Sequence, residues 1–267
     1  MSKTILITGA TDGIGLATAK MLVEKGHKVL LHGRNQSKLE AVAESLLALS
    51  KDASIECFVA DLSKLSDVDA LAQAVADKHQ RLDVLINNAG VFKTPDAKTA
   101  DGFDTRFMVN TIAPYRLTQK LLPLIGTDGR IINLSSAAQA TVNLEALAGN
   151  ANVSEMEAYA QSKLAITMWS RLLAEKADAP TVIAVNPGSM LGTKMVKQGF
   201  GAEGHDIGIG ARILCRAALD SDFKSHSGQY FDNDSGQFAA PHADALNAEK
   251  SAAVVKLIDS ILTQHTA

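Results

Sequence analysis

Cysteine is scarce: the 267 residues hold two, Cys57 and Cys215, and their spacing suits neither a metal knuckle nor a redox pair. A disulfide framework is excluded as the source of stability, and both thiols are expected to be free and buried in a reducing, cytoplasmic setting. The seven histidines form no HxxxH pair and no cluster with cysteine, so no metal is expected. Positive charge is not in excess either, since 26 Lys and Arg against 29 Asp and Glu give a net charge of −3. The basic residues are scattered, which removes the electrostatic footprint of a nucleic-acid binder. No apolar window approaches the roughly 20 residues of a membrane helix. The opening MSKTILITGA reads as a strand and lacks the charged start, apolar stretch and small-residue cleavage site of a signal peptide, so no membrane partner is expected. No compositional break or Pro/Gly/Ser-rich linker divides the chain. With 46% apolar residues, one domain across 1–267 is expected.

Short apolar runs alternate with longer helical patterns. TILIT (4–8), KVLLHG (28–33), SIECFVA (54–60), LDVLINNA (82–89), RIINLSS (130–136) and TVIAVNP (181–187) are rich in Ile, Val and Leu and are closed by Gly, Asn, Asp or Ser, as strands are. Between them 15–26, 37–50, 67–80, 104–123 and 155–176 carry apolar residues at helical spacing. Strands apolar on both faces, alternating with helices, predict a doubly wound α/β fold with a parallel sheet between two helical layers. Ligands of such sheets bind beyond the carboxyl ends of the strands. There, TGATDGIG (8–15) places Gly9, Gly13 and Gly15 between a strand and a helix, where a pyrophosphate could approach backbone N–H groups at the helix start. In AYAQSKLAIT (158–167), Tyr159 and Lys163 are four apart and share a helix face.

The loop TG-x-x-x-GIG resembles the phosphate loop of the classical short-chain dehydrogenases/reductases, and the resemblance runs down nearly the whole chain. It implies a single-domain Rossmann-type fold and a cofactor site made by Gly9, Thr11, Asp12, Gly13, Ile14 and Gly15. ADLS (60–63) resembles the family's segment after strand three, so Asp61 would accept a hydrogen bond from the adenine amino group beside Leu62. NNAG (87–90) implies that Asn88, Ala89 and Gly90 line the adenosine ribose, and NPGSMLGT (186–193) resembles the loop that holds the nicotinamide, with Pro187, Gly188 and Thr193. VNTIAP supplies Asn110, NLSSAAQ supplies Ser136, and AYAQSK supplies Tyr159 and Lys163, a catalytic set. A phenol has a pKa of about 10, and a cation beside it favours the phenolate, so Lys163 is expected to lower that of Tyr159. Tyr159 would then act as general acid in reduction or as base in oxidation, and Ser136 would donate to the substrate oxygen. By the resemblance, Lys163 also binds ribose hydroxyls and Asn110 holds a water that links the site to solvent. Ser135 is the rival hydroxyl; Ser136 is preferred because it occupies the motif's second serine position and side chains alternate along a strand.

Cofactor choice is read at the end of the second strand, LLHGRN. Gly33 stands where an NAD-specific site places a carboxylate, and Arg34, followed by Asn35, can grip a 2′-phosphate, so NADP(H) is favoured over NAD(H). Asp12, inside the glycine loop, argues in the opposite direction. The 22 residues from 137 to 158 lengthen the segment between Ser136 and Tyr159 and resemble the retinol dehydrogenase and protochlorophyllide reductase-like branch, as does GQYFDNDSGQFAAPH (228–242). Membrane-anchored members of that branch carry an N-terminal apolar segment that the sequence lacks, so retinol is not carried over as substrate. Segments 137–158 and 190–206 are expected to form a lid or a structural loop, with Gln139 and Met190 joining Ser136 and Tyr159 at a small-molecule carbonyl or alcohol substrate. Two other functions share parts of this pattern, a sugar-nucleotide epimerase or dehydratase and a non-enzymatic NADP-binding regulator. Oligomeric state is left open, a homo-oligomer included.

Overall fold

The computed structural model describes residues 2–265; Met1, Thr266 and Ala267, which fall within the expected 1–267 domain, lie outside the described residues. The first half of the chain alternates strand and helix: β1 (Thr4–Ile7), α1 (Gly13–Glu24), β2 (Lys28–Gly33), α2 (Gln36–Leu47), β3 (Ser54–Val59), α3 (Leu65–Lys78) and β4 (Val84–Asn87). A short α4 (Thr105–Phe107) then runs through a π-helical turn (Met108–Ile112) into α5 (Ala113–Ile125), followed by β5 (Arg130–Leu134), α6 (Leu144–Leu147), α7 (Glu155–Ala174) and β6 (Thr181–Asn186). The remainder comprises α8 (Lys194–Phe200), α9 (Ile207–Leu219), the hairpin β7 (Tyr230–Asp232) and β8 (Gln237–Ala239), and α10 (Ala248–Gln264).

All eight strands form one sheet in the order β3-β2-β1-β4-β5-β6-β7-β8. Every pairing is parallel except the last, where β8 returns antiparallel to β7 and supplies the far edge. This is the doubly wound, Rossmann-type fold, and the strand order reverses between β1 and β4, where the crevice of such a sheet opens. Successive strand residues feed opposite faces. Leu6, Ile131 and Val182 enter one core with α3, α5, α7 and α10. Their neighbours Ile5, Ile7, Ile132 and Ile183 enter the other, with α1, α2 and α9.

Two expectations need correction. Cys215 is buried and free, but Cys57 is free and only half-buried. It sits on β3, an edge strand that neighbours cover less completely than the central ones. The stretch read as one helix over 104–123 is interrupted: the Ala113 N–H donates to the Met108 carbonyl, five residues back, which widens the turn around Asn110. Its residues are all buried, so the apolar pattern gives no sign of the change in period.

Candidate active site

The carboxyl ends of β1, β2, β3 and β4 open onto a cleft of about 910 Å³. Gly9, Thr11, Asp12, Gly13, Ile14 and Gly15 line it, with Arg34, Asn35, Asp61, Leu62, Asn88, Ala89, Gly90, Tyr159, Lys163, Pro187 and Thr193. The glycine loop is held from below. Asn88 Nδ2 donates to the carbonyls of Thr8 (2.8 Å) and Gly9 (3.1 Å), and Thr8 Oγ1 accepts from the N–H groups of Asn88 and Ala89 at 3.0 Å each. Gly15 must be glycine, because a Cβ there would lie 2.3 Å from the Gly9 carbonyl oxygen.

A residue that the sequence motifs do not single out completes this support. His32, buried within β2, accepts the Gly9 N–H on Nδ1 (3.2 Å) and presents Nε2 to the Ala60 carbonyl (3.1 Å). Only the neutral ring with its proton on Nε2 satisfies both contacts. Burial pushes its pKa down to about 4, against weaker upward pulls from the Ala60 carbonyl and Asp61. Its only sequence signal is a histidine inside an otherwise apolar strand.

Electrostatics at the mouth differ from what a lone Asp12 suggested. Asp12 caps α1, accepting the Gly13 N–H at 2.8 Å, and is paired with Lys194 of α8 at 2.6 Å and Lys38 of α2 at 3.3 Å. Burial alone would raise its pKa, but Lys194, the Gly13 N–H and Lys38 together hold it below the usual carboxylate value. Lys38, Lys64 and Lys194 line the cleft beside Arg34, which is exposed. Asp61 accepts from the N–H and hydroxyl of Ser63, and Asn35 caps α2 by accepting from Lys38 N. At Gly33 a Cβ would lie 2.6 Å from Thr11 Cγ2, so Thr11 occupies the space that a carboxylate at this position would need.

At the inner end, α7 starts with a capping box formed by Ser154 and Glu157. Almost every residue from Ala158 to Ser170 is buried, because the sheet, α10 and the π-turn surround the helix; the expected amphipathic pattern is absent. Lys163 is 4% exposed; it donates to the Leu134 carbonyl at 2.7 Å, and its ammonium lies 5.7 Å from the centre of the Tyr159 ring. Burial pushes its pKa down to about 8. The phenol of Tyr159 moves upward, contrary to the sequence expectation, because loss of hydration outweighs the hydrogen bond from Ser136 that pulls it down. Phe92 meets the Tyr159 ring edge-on at 5.3 Å.

The two serines separate cleanly. Ser135 Oγ is committed to the Lys163 carbonyl (3.1 Å) and Thr167 Oγ1 (2.7 Å), whereas Ser136 Oγ accepts from Ala138 N at 3.1 Å and is close enough to the Tyr159 phenol to pull its pKa down. Asn110 lies behind the cleft. Its Oδ1 accepts the Val91 N–H (2.8 Å) and its Nδ2 donates to the Val91 carbonyl (2.9 Å) and Ser162 Oγ (3.0 Å), so its amide clamps the β4 exit and is not turned toward the cleft. Gly188, Gln139, Met190 and Ser136 are also outside the cleft lining, which Ser135 joins. Gln139 Nε2 donates to the Ser136 carbonyl at 2.9 Å, and Met190 sits at φ 52 with its carbonyl accepting from His205 N.

Segment 137–158 is pinned down by Ala140 N on the Ala160 carbonyl, Thr141 on Asp244 and Asn143 N on Gln161, with Ala146 and Leu147 buried. Segment 190–206 contributes Thr193, Lys194, Met195 and Gln198 to the cleft. The volume matches a ligand pocket at the upper end of about 300–1,000 Å³. A glycine-walled turn at a helix start, a cationic mouth and a buried ammonium with one protein acceptor together fit a nicotinamide dinucleotide.

Among the described residues, no helix is long and apolar enough to cross a membrane. The family model described as short chain dehydrogenase matches residues 3–203. The chain is 35% identical over 212 residues to polyprenol dehydrogenase of Homo sapiens, covering 75% of this chain and 64% of that protein, a little under two thirds of its length. It is 33% identical over 244 residues to retinol dehydrogenase 12 of Mus musculus, covering 86% of this chain and 77% of that protein. A short chain dehydrogenase from Burkholderia cenocepacia, solved in complex with NADP, superposes with a TM-score of 0.70 at 27% identity, covering 88% of this chain and 97% of the other.

Proposed function

Because the chain belongs to the short-chain dehydrogenase family, in its retinol dehydrogenase-like branch, and is therefore an NAD(P)-dependent oxidoreductase, we propose that it uses NADP(H) and interconverts a carbonyl and a secondary alcohol, with Tyr159 as the acid/base. The observation that carries this reading is Tyr159 set beside the buried Lys163 ammonium in the wall of a cleft that begins at the glycine loop, with Ser136 close enough to the phenol to pull its pKa down.

NADPH, when bound, supplies the hydride to the substrate carbon. The chain's own residues handle the oxygen and the proton. Tyr159, its phenol raised by burial, is protonated at neutral pH, which is the form that reduction consumes. Ser136 donates a hydrogen bond to the same oxygen as negative charge gathers there. Lys163, with a pKa of about 8, is mostly charged at neutral pH and stabilises the phenolate left behind. Its two N–H groups not used by Leu134 would hold the ribose hydroxyls. Asn110 fixes the Val91 backbone and the Ser162 hydroxyl. Arg34 would bind the 2′-phosphate, with Lys38 next to it on α2 and Asp12 already neutralised by its lysine partners.

The test is NADPH consumption by purified protein against aldehydes, ketones and quinones, with Tyr159→Phe as the control that removes one hydroxyl and conserves ring packing. Reduction should fall by orders of magnitude while NADPH affinity stays within about twofold. Turnover by Tyr159→Phe near the wild-type rate removes Tyr159 from the chemistry. Tight NADPH binding with no turnover on any substrate points to a cofactor-binding regulator.

A further inference from the structure

The proposed reaction makes Ser136 fix the substrate oxygen, yet Ser136 lies beyond the end of β5, where the sheet no longer dictates its geometry. Ser135 is the last residue there tied to the neighbouring strand, through its N–H on the Val185 carbonyl at 2.9 Å. Two donors take over at the Ser136 carbonyl: Gln139 Nε2 at 2.9 Å and the Tyr230 hydroxyl at 3.1 Å. Tyr230 comes from the other side of the sheet's far end. It is the first residue of β7, 5% exposed and paired in register with Ala184 of β6. Its neighbour Phe231 faces the opposite layer, in a cluster with Phe223 and Phe238 that seats the strand. The same hairpin fixes the loop across the site: Asp234 accepts from the N–H of Ser189 (2.7 Å), from its hydroxyl and from Asn186 Nδ2 (2.9 Å).

Resting on the proposed roles of Ser136 and Tyr159, we infer that Tyr230 is a positioning residue for the reaction: it holds the Ser136 backbone so that the serine hydroxyl stays on the Tyr159 phenol. Burial, with Asp232 and Asp234 close by, raises the Tyr230 phenol far above the range of any assay, so the hydroxyl remains a donor throughout. The Tyr230 hydroxyl holds the Ser136 carbonyl, and the Ser136 hydroxyl in turn acts on the nearby Tyr159 phenol. Because Ser136 lowers the phenol's pKa, loosening it raises the pKa of Tyr159 and weakens its partner in the transition state. Gln139, expected from sequence at the substrate, belongs to the same brace; its Oε1 also accepts from His242 N at 3.3 Å.

The experiment is a double-mutant cycle. Tyr230→Phe keeps the ring and removes the donor; it is measured alone, with Ser136→Ala, and against both single variants, reading kcat, KM and NADPH affinity separately. Loss of one neutral hydrogen bond should lower kcat by about 2- to 10-fold, with NADPH affinity unchanged. In the Ser136→Ala background the same substitution should have no further effect, since its route to the chemistry is gone. The pH profile of alcohol oxidation in Tyr230→Phe should also move upward. Equal fold-losses in both backgrounds, or no loss in the wild-type background, overturns the inference. Should Tyr230→Phe fail to fold, Gln139→Leu enters the same cycle with the same expectation. A wild type that consumes no NADPH refutes the oxidoreductase reading itself, whereas wild-type turnover with additive losses refutes only this role of Tyr230.

Discussion

Lowering the pH below neutrality should loosen this protein through His32. In the folded state the ring is neutral, its Nδ1 accepting the Gly9 N–H and its pKa pushed down to about 4 from an ordinary 6.5. The unfolded chain therefore binds a proton that the folded chain refuses, across the window from about 6.5 down to about 4. His32's contribution is fully present above 6.5 and declines as pH falls through that window. The full difference corresponds to about 3 kcal/mol, and about 2 kcal/mol of it is lost between about pH 7.5 and about pH 5. Urea denaturation at the two pH values measures the loss, and His32→Asn is the reference, since it offers an acceptor near the Nδ1 position and has no proton to gain. The variant should lose about 2 kcal/mol less than wild type over that interval. Wild type and variant losing the same amount would refute the reasoning. Through the Gly9 contact, NADPH affinity of the folded protein should hold across that window and weaken only as pH approaches about 4, where the folded ring itself takes up a proton.

Arg34→Ala should weaken NADPH binding by roughly 10- to 100-fold, the worth of a charge-assisted hydrogen bond, and leave NADH binding nearly unchanged; equal affinities for the two cofactors in wild type would overturn the NADP assignment. Adding Gly33→Asp to reverse the preference should cost stability unless Thr11 is trimmed as well, because its methyl lies 2.6 Å from where the new Cβ must go; thermal melts of Gly33→Asp with and without Thr11→Ser check this. Hydrogen exchange on joint addition of cofactor and a turnover substrate should slow in 190–206, whose residues line the cleft, and change little in 137–158, which is already pinned. Slowing confined to 137–158 would reverse the roles of the two segments.

The central strands were legible because a strand buried on both faces must be a short Ile, Val or Leu run, and its end is marked by residues such as Asn88 and Ser136 that suit turns. The hairpin β7–β8 escaped, since three-residue strands show no measurable alternation. At the site, residues defined by local spacing came through: Gly9, Gly13 and Gly15 at a helix start, Tyr159 and Lys163 on one face. What spacing cannot carry is pairing across the fold. Lys194, which neutralises Asp12, is 182 positions away in sequence, and Tyr230 reaches Ser136 from 94 positions away. The direction of the Tyr159 pKa was misread for a related reason, as proximity to a cation can be read from a helix but the loss of hydration cannot.

The π-turn at Met108–Ile112 constrains how this chain can change length. A π-turn holds one residue more than the α-helical turn it replaces, so it behaves as an insertion that the helix has absorbed. Removing one of these residues would restore the ordinary period and leave α4 and α5 in the phase they now have. Phe107, ahead of the turn, and Ala113, Leu117 and Leu121, behind it, are all fully buried in the same core cluster, and they would keep facing it. Asn110, inside the turn, would instead swing off Val91 and Ser162. A shortened helix would thus keep the core and lose the clamp, so the extra residue is held in place by the Asn110 contacts and not by the packing behind them.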